Sequence, residues 1–331
     1  MSEELLVTAR DNALIDPSLQ IWTWEVAMYL FMGGLTAGTM VFAASMILMK
    51  KDKEAPFATM RLALLAPILL SLGMTTLFLD LEHKLFVYRF YTSFQITSPM
   101  SWGAWILIII YPISILQILS TLRNGYPMFG SFVDRLAIGR QVLDLCERYR
   151  REIALAAIPF AIALGIYTGV LLSAFGARPF WNSGVLGPLF LVSGMSTAAA
   201  LVALLAVRRS EKELFTRIDL VLIFVELTFV ALFLINLATG SGQQIEALQI
   251  VMGGSYTFVF WAVFIGIGLL IPMLLEIMEL RGMGKSIAIL APVLVLIGGY
   301  ALRQVVLDAG QESTWTSYPS QYNAELLQRL H

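Results

Sequence analysis

Glu25 and Tyr29 stand four residues apart in an apolar run, so a helix carries a carboxyl and a phenol one turn apart on one face. Gly33 and Thr36 continue that face inward. Such a pair can hydrogen-bond a carbonyl ligand and hand it a proton. A plainer alternative puts Trp24, Glu25 and Tyr29 in an interfacial belt, with the carboxyl among headgroups. Tyr167 lies inside Gly165-Ile166-Tyr167-Thr168-Gly169, and Gly34-Leu35-Thr36-Ala37-Gly38 repeats the small-residue spacing. Both patterns read as helix-packing faces, and the Tyr167 hydroxyl then sits near a helix crossing as a donor for a ligand. Asp80 closes another run and is followed by Glu82, His83 and Lys84, either a proton-transfer group or part of a solvated interfacial cluster. Glu226 is the deepest carboxyl, with no Lys or Arg at similar depth in its own run. A hydrogen bond to another helix and a place in a proton relay are both open to it. Glu276 and Glu279 read as surface acids that snorkel from the end of their run.

The missing residue types narrow the chemistry further. One cysteine, Cys146, excludes a disulfide within the chain and an iron–sulfur cluster held by it alone, which takes about four thiolates. The two histidines are His83, outside the apolar runs, and His331, the last residue of the sequence. No histidine pair is placed to hold a haem b, and no metal site is expected.

The elements that must position these groups are membrane helices. Of 331 residues 58% are hydrophobic and 14% charged, and the mean hydropathy is +0.78. Soluble domains carry about a quarter charged residues, so a soluble enzyme, a nucleic-acid binder and a disordered chain are excluded. The net charge of −1 carries no information about partners. Residues 1–20 are polar and acidic and lack the basic start of a cleavable signal peptide, so the first apolar run is expected to be retained. Hydropathy predicts eight spans, at 24–49, 60–81, 98–122, 153–174, 185–207, 218–238, 256–280 and 286–304, the last weakened by Gly298, Gly299 and Arg303. Loops after odd spans hold 16 of the 22 Lys and Arg, whereas Arg10, Lys84, Arg89, Arg178, Arg303 and Arg329 fall on the other side. The positive-inside rule then makes the odd loops cytoplasmic and puts both termini outside.

Internal similarity suggests a direct duplication. LFMGGLTAG before KKDKE is echoed by LFLVSGMSTA before RRSEKE, and the pairs Arg61/Arg217, Asp80/Asn236 and Trp105/Trp261 share an offset of 156 positions. The expected fold is an all-α integral membrane protein of eight transmembrane helices in two tandem four-helix bundles. Residues 1–20 form an outer tail, 21–175 the first bundle with a cytoplasmic loop at 123–152, 176–307 the second, and 308–331 an outer C-terminal tail. The mixed-charge loop has apolar residues at helical spacing and is expected to lie on the membrane surface.

Three stretches carry a family resemblance: WEVAMYLFMGGLTAG, LDLEHKLFVYRFYTSFQITSPMSWGAW and YTGVLLSAFGARPFWNSGVLGPLFLVSGMSTA. They closely resemble the NrfD/PsrC family, with SPMSWG and ARPFWNS the more specific runs, and the similarity extends over all eight spans. The resemblance implies a membrane-anchor subunit of a bacterial respiratory oxidoreductase complex in the cytoplasmic (inner) membrane. Such a subunit binds menaquinone or ubiquinone and has no haem, iron–sulfur cluster or other redox cofactor of its own. Its implied partners are a four-cluster ferredoxin-like iron–sulfur subunit and a catalytic subunit, a molybdopterin enzyme or a multihaem cytochrome.

The implied quinone site lies between spans 1 to 4 near the outer face, with Glu25, Tyr29 and Tyr167 as contacts. Tyr29 occupies a position that is often histidine in the family, so a hydrogen-bond donor is kept and an easy base lost. Glu25, Asp80 and Glu226 are the proton-transfer candidates. Arg89, Ser98 and Arg178 fall in motif positions and are assigned to pocket support or partner docking. Outer-face docking is expected from Phe90, Tyr91, Trp181, Trp315, Tyr318 and Tyr322, as exposed aromatics. Two other readings stay open: a multi-pass transporter or proton-translocating subunit without quinone chemistry, and a purely structural anchor. The polar residues cluster outward, whereas transporter sites use broken helices near the midplane.

Overall fold

The computed structural model describes residues 22–282 and 287–313, which are helical with no strand among them. Among these residues eight helices are long and apolar enough to cross a membrane. They are α1 (Trp24–Leu48), α2 (Leu62–Asp80), α3 (Pro99–Leu119), α4 (Arg150–Ser173), α5 (Leu186–Leu205), α6 (Arg209–Ala238), α7 (Val259–Leu280) and α8 (Ile287–Glu312). Helices satisfy their own backbone groups, which lipid cannot do, and apolar runs of this length therefore settle as helices. Pro112, Pro159 and Pro292 sit inside α3, α4 and α8. The outer half of α7, Val259–Leu270, is π-helical and turns α-helical from Ile271.

Two expected boundaries move. Helix α6 begins at Arg209 rather than 218, because its charged first turns pack on the loop after α1: Glu211 accepts from the Phe57 and Ala58 N–H groups at 3.2 and 2.8 Å. Helix α8 runs to Glu312 rather than 304, so position 308 is helical and not the start of a tail. Arg303 interrupts the hydropathy but not the helix, since its guanidinium is buried against α5. Arg303 therefore leaves the outer-loop charge count, which becomes 16 against five. The tail aromatics Trp315, Tyr318 and Tyr322 lie outside the described residues.

Burial places the helices. In α1, 89% of the apolar window is buried, against 28% in α2 and in α6. Helix α1 packs on α2, α4, α5 and α8, and α5 packs on α1, α4, α6 and α8. Helices α3 and α4 are also in contact, as are α7 and α8, and the lipid-facing sides of α2 and α6 carry exposed residues such as Leu79, Val221 and Phe224. The α1–α5 contact is backbone on backbone. A Cβ on Gly194 would meet the Gly34 main chain, and one on Gly38 would meet the Gly194 carbonyl and the Ala198 methyl. The glycines of α4 face α5 as well, Gly165 at Leu191 and Gly169 at Leu186 and Gly187.

At the basic end, the surface helix Ala137–Arg148 is held by Arg123, which pairs with Asp134, Asp144 and Glu147 at 2.6, 2.7 and 3.0 Å. The Arg123 guanidinium holds the Asp134 carboxyl below the usual aspartate range.

Gly38→Ala is expected to cost about 1–3 kcal/mol, because the added methyl meets backbone that cannot give way. Gly253→Ala, where a Cβ meets nothing, is expected to stay within about 0.5 kcal/mol. Thermal unfolding of the two variants in detergent micelles checks the contrast.

Candidate functional site

A cavity of ≈170 Å³ opens between α1 to α4, at the end of the bundle away from the basic loops. Helix α1 supplies Val26, Tyr29 and Leu30, α2 Met74, Leu77 and Asp80, α3 Gly103 and Leu107, and α4 Tyr167 and Leu171. The loop 81–98 closes it from outside with Val87, Phe90 and Tyr91. An apolar cavity of about 150 Å³ can hold a benzene ring, so this one has room for one aromatic ring.

Its polar groups are few and convergent. Tyr29 and Tyr167 are 4% and 6% exposed, and among the described residues neither hydroxyl has a protein hydrogen-bond partner. Buried tyrosine hydroxyls ordinarily find one, so two unused donors stand at this cavity. Burial also pushes the Tyr91 phenol of the loop above the ordinary tyrosine value. Asp80 ends α2 at the rim. A carboxylate there meets the negative end of the helix dipole, so the residue does not serve the helix.

Room for Tyr167 comes from α3. A Cβ on Gly103 would fall on the Tyr167 phenol. The slot is thus cut by the glycine of SPMSWG, not by the glycine faces of α1 and α4, which both point at α5. Residue type does not single out Gly103, although its motif is a visible signal.

The other expected residues do different work. Glu25 does not line the cavity; it sits half-buried a turn outward of Tyr29, accepts from the Thr23 hydroxyl and lies within electrostatic range of Asp80. Ser98 ends the loop before α3 without a side-chain cap, and the loop is tied by Ser101, which donates to the Ser93 carbonyl at 3.2 Å and accepts from the Gln95 N–H at 3.0 Å. The Trp102 indole donates to the Ile96 carbonyl at 2.7 Å. Arg89 stacks its guanidinium on the Phe86 ring, 4.5 Å from the centroid, on the outer surface.

Arg178 donates to the carbonyls of Gln311 and Ser313 at 2.9 and 3.1 Å, capping the end of α8 where its dipole favours a cation. Trp181, expected to be an exposed docking aromatic, is 3% exposed: its indole donates to the Val306 carbonyl at 2.7 Å and stacks on Trp22. ARPFWNS therefore clamps α8, while Phe90 is 40% exposed on the loop 81–98.

A second polar cluster lies in the other half. Glu226 is fully buried, but Arg303 from α8 supplies the charge its own helix lacks. Arg303 donates to Ser193 Oγ, the Phe190 carbonyl at 2.8 Å and the Gly299 carbonyl at 2.9 Å. Glu276, expected to snorkel, is 1% exposed and faces Asp219 of α6. Asp219 and Ser196 belong to this cluster too. Sequence reasoning misses both, since a short acid near a cytoplasmic helix end reads as solvated.

A family model described as polysulphide reductase, NrfD matches residues 13–314. Protein NrfD of Escherichia coli strain K12 is 29% identical over 304 residues, covering 88% of this chain and 95% of that protein. A polysulfide reductase chain from Wolinella succinogenes is 27% identical, covering 88% of this sequence and 94% of its own. A selenate reductase subunit from Mesobacillus selenatarsenatis is 25% identical, covering 94% of this sequence and 79% of its own.

Gly103→Ala is expected to drive a methyl into the Tyr167 ring, displace the phenol and cost about 1–3 kcal/mol. Its Tm in detergent falls, and Tyr167→Ala in the same chain should relieve part of the loss; independent, additive losses would show that the two residues do not touch.

Proposed function

The chain belongs to the polysulphide reductase, NrfD family, and from that premise we propose that it is the quinone-handling membrane anchor of a respiratory oxidoreductase complex. The observation that carries the reading is the outer cavity: apolar walls, two free phenol donors and one carboxyl at the rim. That is the composition a neutral aromatic carbonyl compound requires. Menaquinone or ubiquinone, when bound, supplies a two-electron, two-proton carrier. Tyr29 and Tyr167 donate hydrogen bonds to its carbonyl oxygens and fix the ring. Asp80 accepts or returns protons at the rim, and Glu25, a turn behind, passes them to water. The leucine, methionine and valine walls exclude water from the ring face.

The complex would include a catalytic subunit, as the names of the relatives from Wolinella and Mesobacillus suggest for those proteins. Electrons would pass through an iron–sulfur subunit docked on the outer face. The exposed loop side chains Leu85, Phe86, Tyr88, Phe94 and Ile96 offer it an apolar surface beside the cavity. The chain would lie in the bacterial cytoplasmic membrane with both termini outside, an orientation that rests on the charge asymmetry of the loops.

Titration of the purified chain with a fluorescent quinone analogue tests the site. Tyr167→Phe and Tyr29→Phe are each expected to weaken binding by about 0.5–1.5 kcal/mol, roughly two- to tenfold. In the assembled complex Tyr167→Phe raises the apparent KM, whereas Asp80→Asn and Glu25→Gln chiefly lower kcat, Asp80→Asn the more. Unchanged binding in both tyrosine variants would place the quinone elsewhere.

Orientation has its own check. Alkaline phosphatase fused at either terminus is expected to be active, and fused after position 140 to be inactive; the reverse pattern would invert the topology.

A further inference from the structure

The segment that links α3 to α4 at the basic end carries apolar side chains that the bundle leaves uncovered. Met128, Phe129 and Phe132 of the short helix Pro127–Asp134 are exposed, Met128 by 85%. So are Ile138, Val142 and Leu145 of the surface helix Ala137–Arg148, Ile138 by 78%. Positions 138, 142 and 145 recur at i, i+4 and i+7, which makes one stripe along the helix. Leu143 and Cys146 are buried and the helix touches α3 and α4, so its bundle-facing side is already filled. The exposed stripe is a second apolar face. It continues the lipid-facing surface of the two spans that the segment joins, where Ile115 and Leu116 of α3 and Leu155 of α4 are exposed.

Charge is sorted around this face. Two residues further along, Arg140, Asp144 and Glu147 repeat the stripe's spacing about 200° round the helix, on its opposite side. Asp144 and Glu147 are ion-paired with Arg123, as is Asp134. Arg140 donates to the Asp134 carbonyl at 3.2 Å, and Arg150 pairs with Asp52 at 2.9 Å. The cations left over are Arg135, Arg148 and Arg151, all exposed and, among the described residues, in no ion pair. Arg135 lies in the link between the two helices, and Arg148 borders the apolar stripe one turn past Leu145. Arg151 stands one turn before Leu155 on α4, hence on its lipid-facing side. Against these three, residues 127–155 hold one acid outside the pairs above, Glu152.

We propose that the exposed face of residues 127–151 is a binding site for anionic phospholipid, in the leaflet at the basic end of the bundle. A helix with an apolar stripe opposite a charged one lies in the plane of the interface, its apolar side at the acyl boundary. The arginine stems run along that apolar surface while their heads stay at the level of the headgroups. A guanidinium there meets two phosphate oxygens with its planar fork. A zwitterionic lipid offers the same phosphate but brings a cation of its own, which three unpaired arginines repel. A lipid of net negative charge is therefore preferred. Arg123 makes the preference possible by gathering three acids on the side away from the lipid.

The face shares no residue with the cavity between α1 and α4, so its test is independent of quinone binding. The full-length chain is placed in nanodiscs of equal parts phosphatidylglycerol and phosphatidylcholine. A trace of either lipid with a photoreactive diazirine in its acyl chain is added, and cross-linked peptides are mapped by mass spectrometry. Peptides from 127–151 are expected to take severalfold more of the phosphatidylglycerol probe than of the phosphatidylcholine probe, relative to peptides from the lipid-facing side of α6. High salt, which screens exposed charges, is expected to bring that ratio toward one. So is the combined variant Arg135→Gln, Arg148→Gln and Arg151→Gln, whereas Lys50→Gln with Lys53→Gln, in the loop after α1, leaves the ratio unchanged.

Equal labelling by the two probes in the wild type overturns the anionic preference, and labelling by neither takes the face out of the lipid. A ratio that survives high salt refutes the charge mechanism with the wild type alone, even if the triple variant fails to fold. A ratio that falls as far in the Lys50 and Lys53 variant shows a general attraction to the basic end and overturns the site. Labelling that disappears when the chain is reconstituted within its assembled complex would mean that a protein covers the face, and would refute the lipid assignment.

Discussion

The close approach of α1 to α5 is the contact on which the rest of the molecule depends. Between lipid-soluble helices there is no hydrophobic drive to associate, so packing and interhelical polar bonds must hold them together. Gly34 and Gly38 bring α1 against Gly194 and Ala198 with no space for a side chain between the backbones. That approach makes α1 the shared centre of both halves. Arg303 is packed against the same contact: its Nη2 lies 3.0 Å from where a Cβ on Gly34 would be, and the same nitrogen bonds the Phe190 carbonyl. A buried guanidinium is costly unless its donors are used, and a methyl on Gly34 would crowd this one beside the α5 carbonyl it bonds.

With one face of α1 committed to α5, its opposite face is free to carry Tyr29 toward α2, α3 and α4. Two polar systems result, with different chemistry. Between α1 and α4 stand two phenols in apolar walls. Deep among α5 to α8 stand buried carboxyls and a guanidinium. The ARPFWNS loop joins the halves by capping α8 with Arg178 and wedging Trp181 against Gly310. The cavity therefore borders a segment tied rigidly to the second half through the stacked Trp22 and the reciprocal hydrogen bonds of its backbone with the Gln311 amide.

How much of this is legible in the residues depends on range. Tyr29, Asp80 and Tyr167 are readable as candidates because each is a polar group in a run where polarity is expensive, and the structure brings the three to one cavity. Gly103 is not readable by type, because a glycine states its purpose only when the side chain it admits is known. Glu276 illustrates the converse. Four residues from a helix end its carboxyl looks free to reach water, and only the position of α6 closes that exit.

Hydropathy and charge by themselves determined the class, the eight helices and most of their boundaries, because crossing lipid is a property of each segment alone. They misplaced the ends of α6 and α8, where polar residues are satisfied by neighbouring helices rather than by solvent. Which helix faces which was decided by tertiary structure: that the glycines of α1 and α4 turn to α5, that Arg303 is a core residue, and that Trp181 is a clamp. A side chain's partner belongs to another segment, and local sequence carries no record of the distance between segments. The segment's own chemistry is therefore written in its residues, and the pairing of Asp219 with Glu276, or of Gly103 with Tyr167, exists only after the helices have packed.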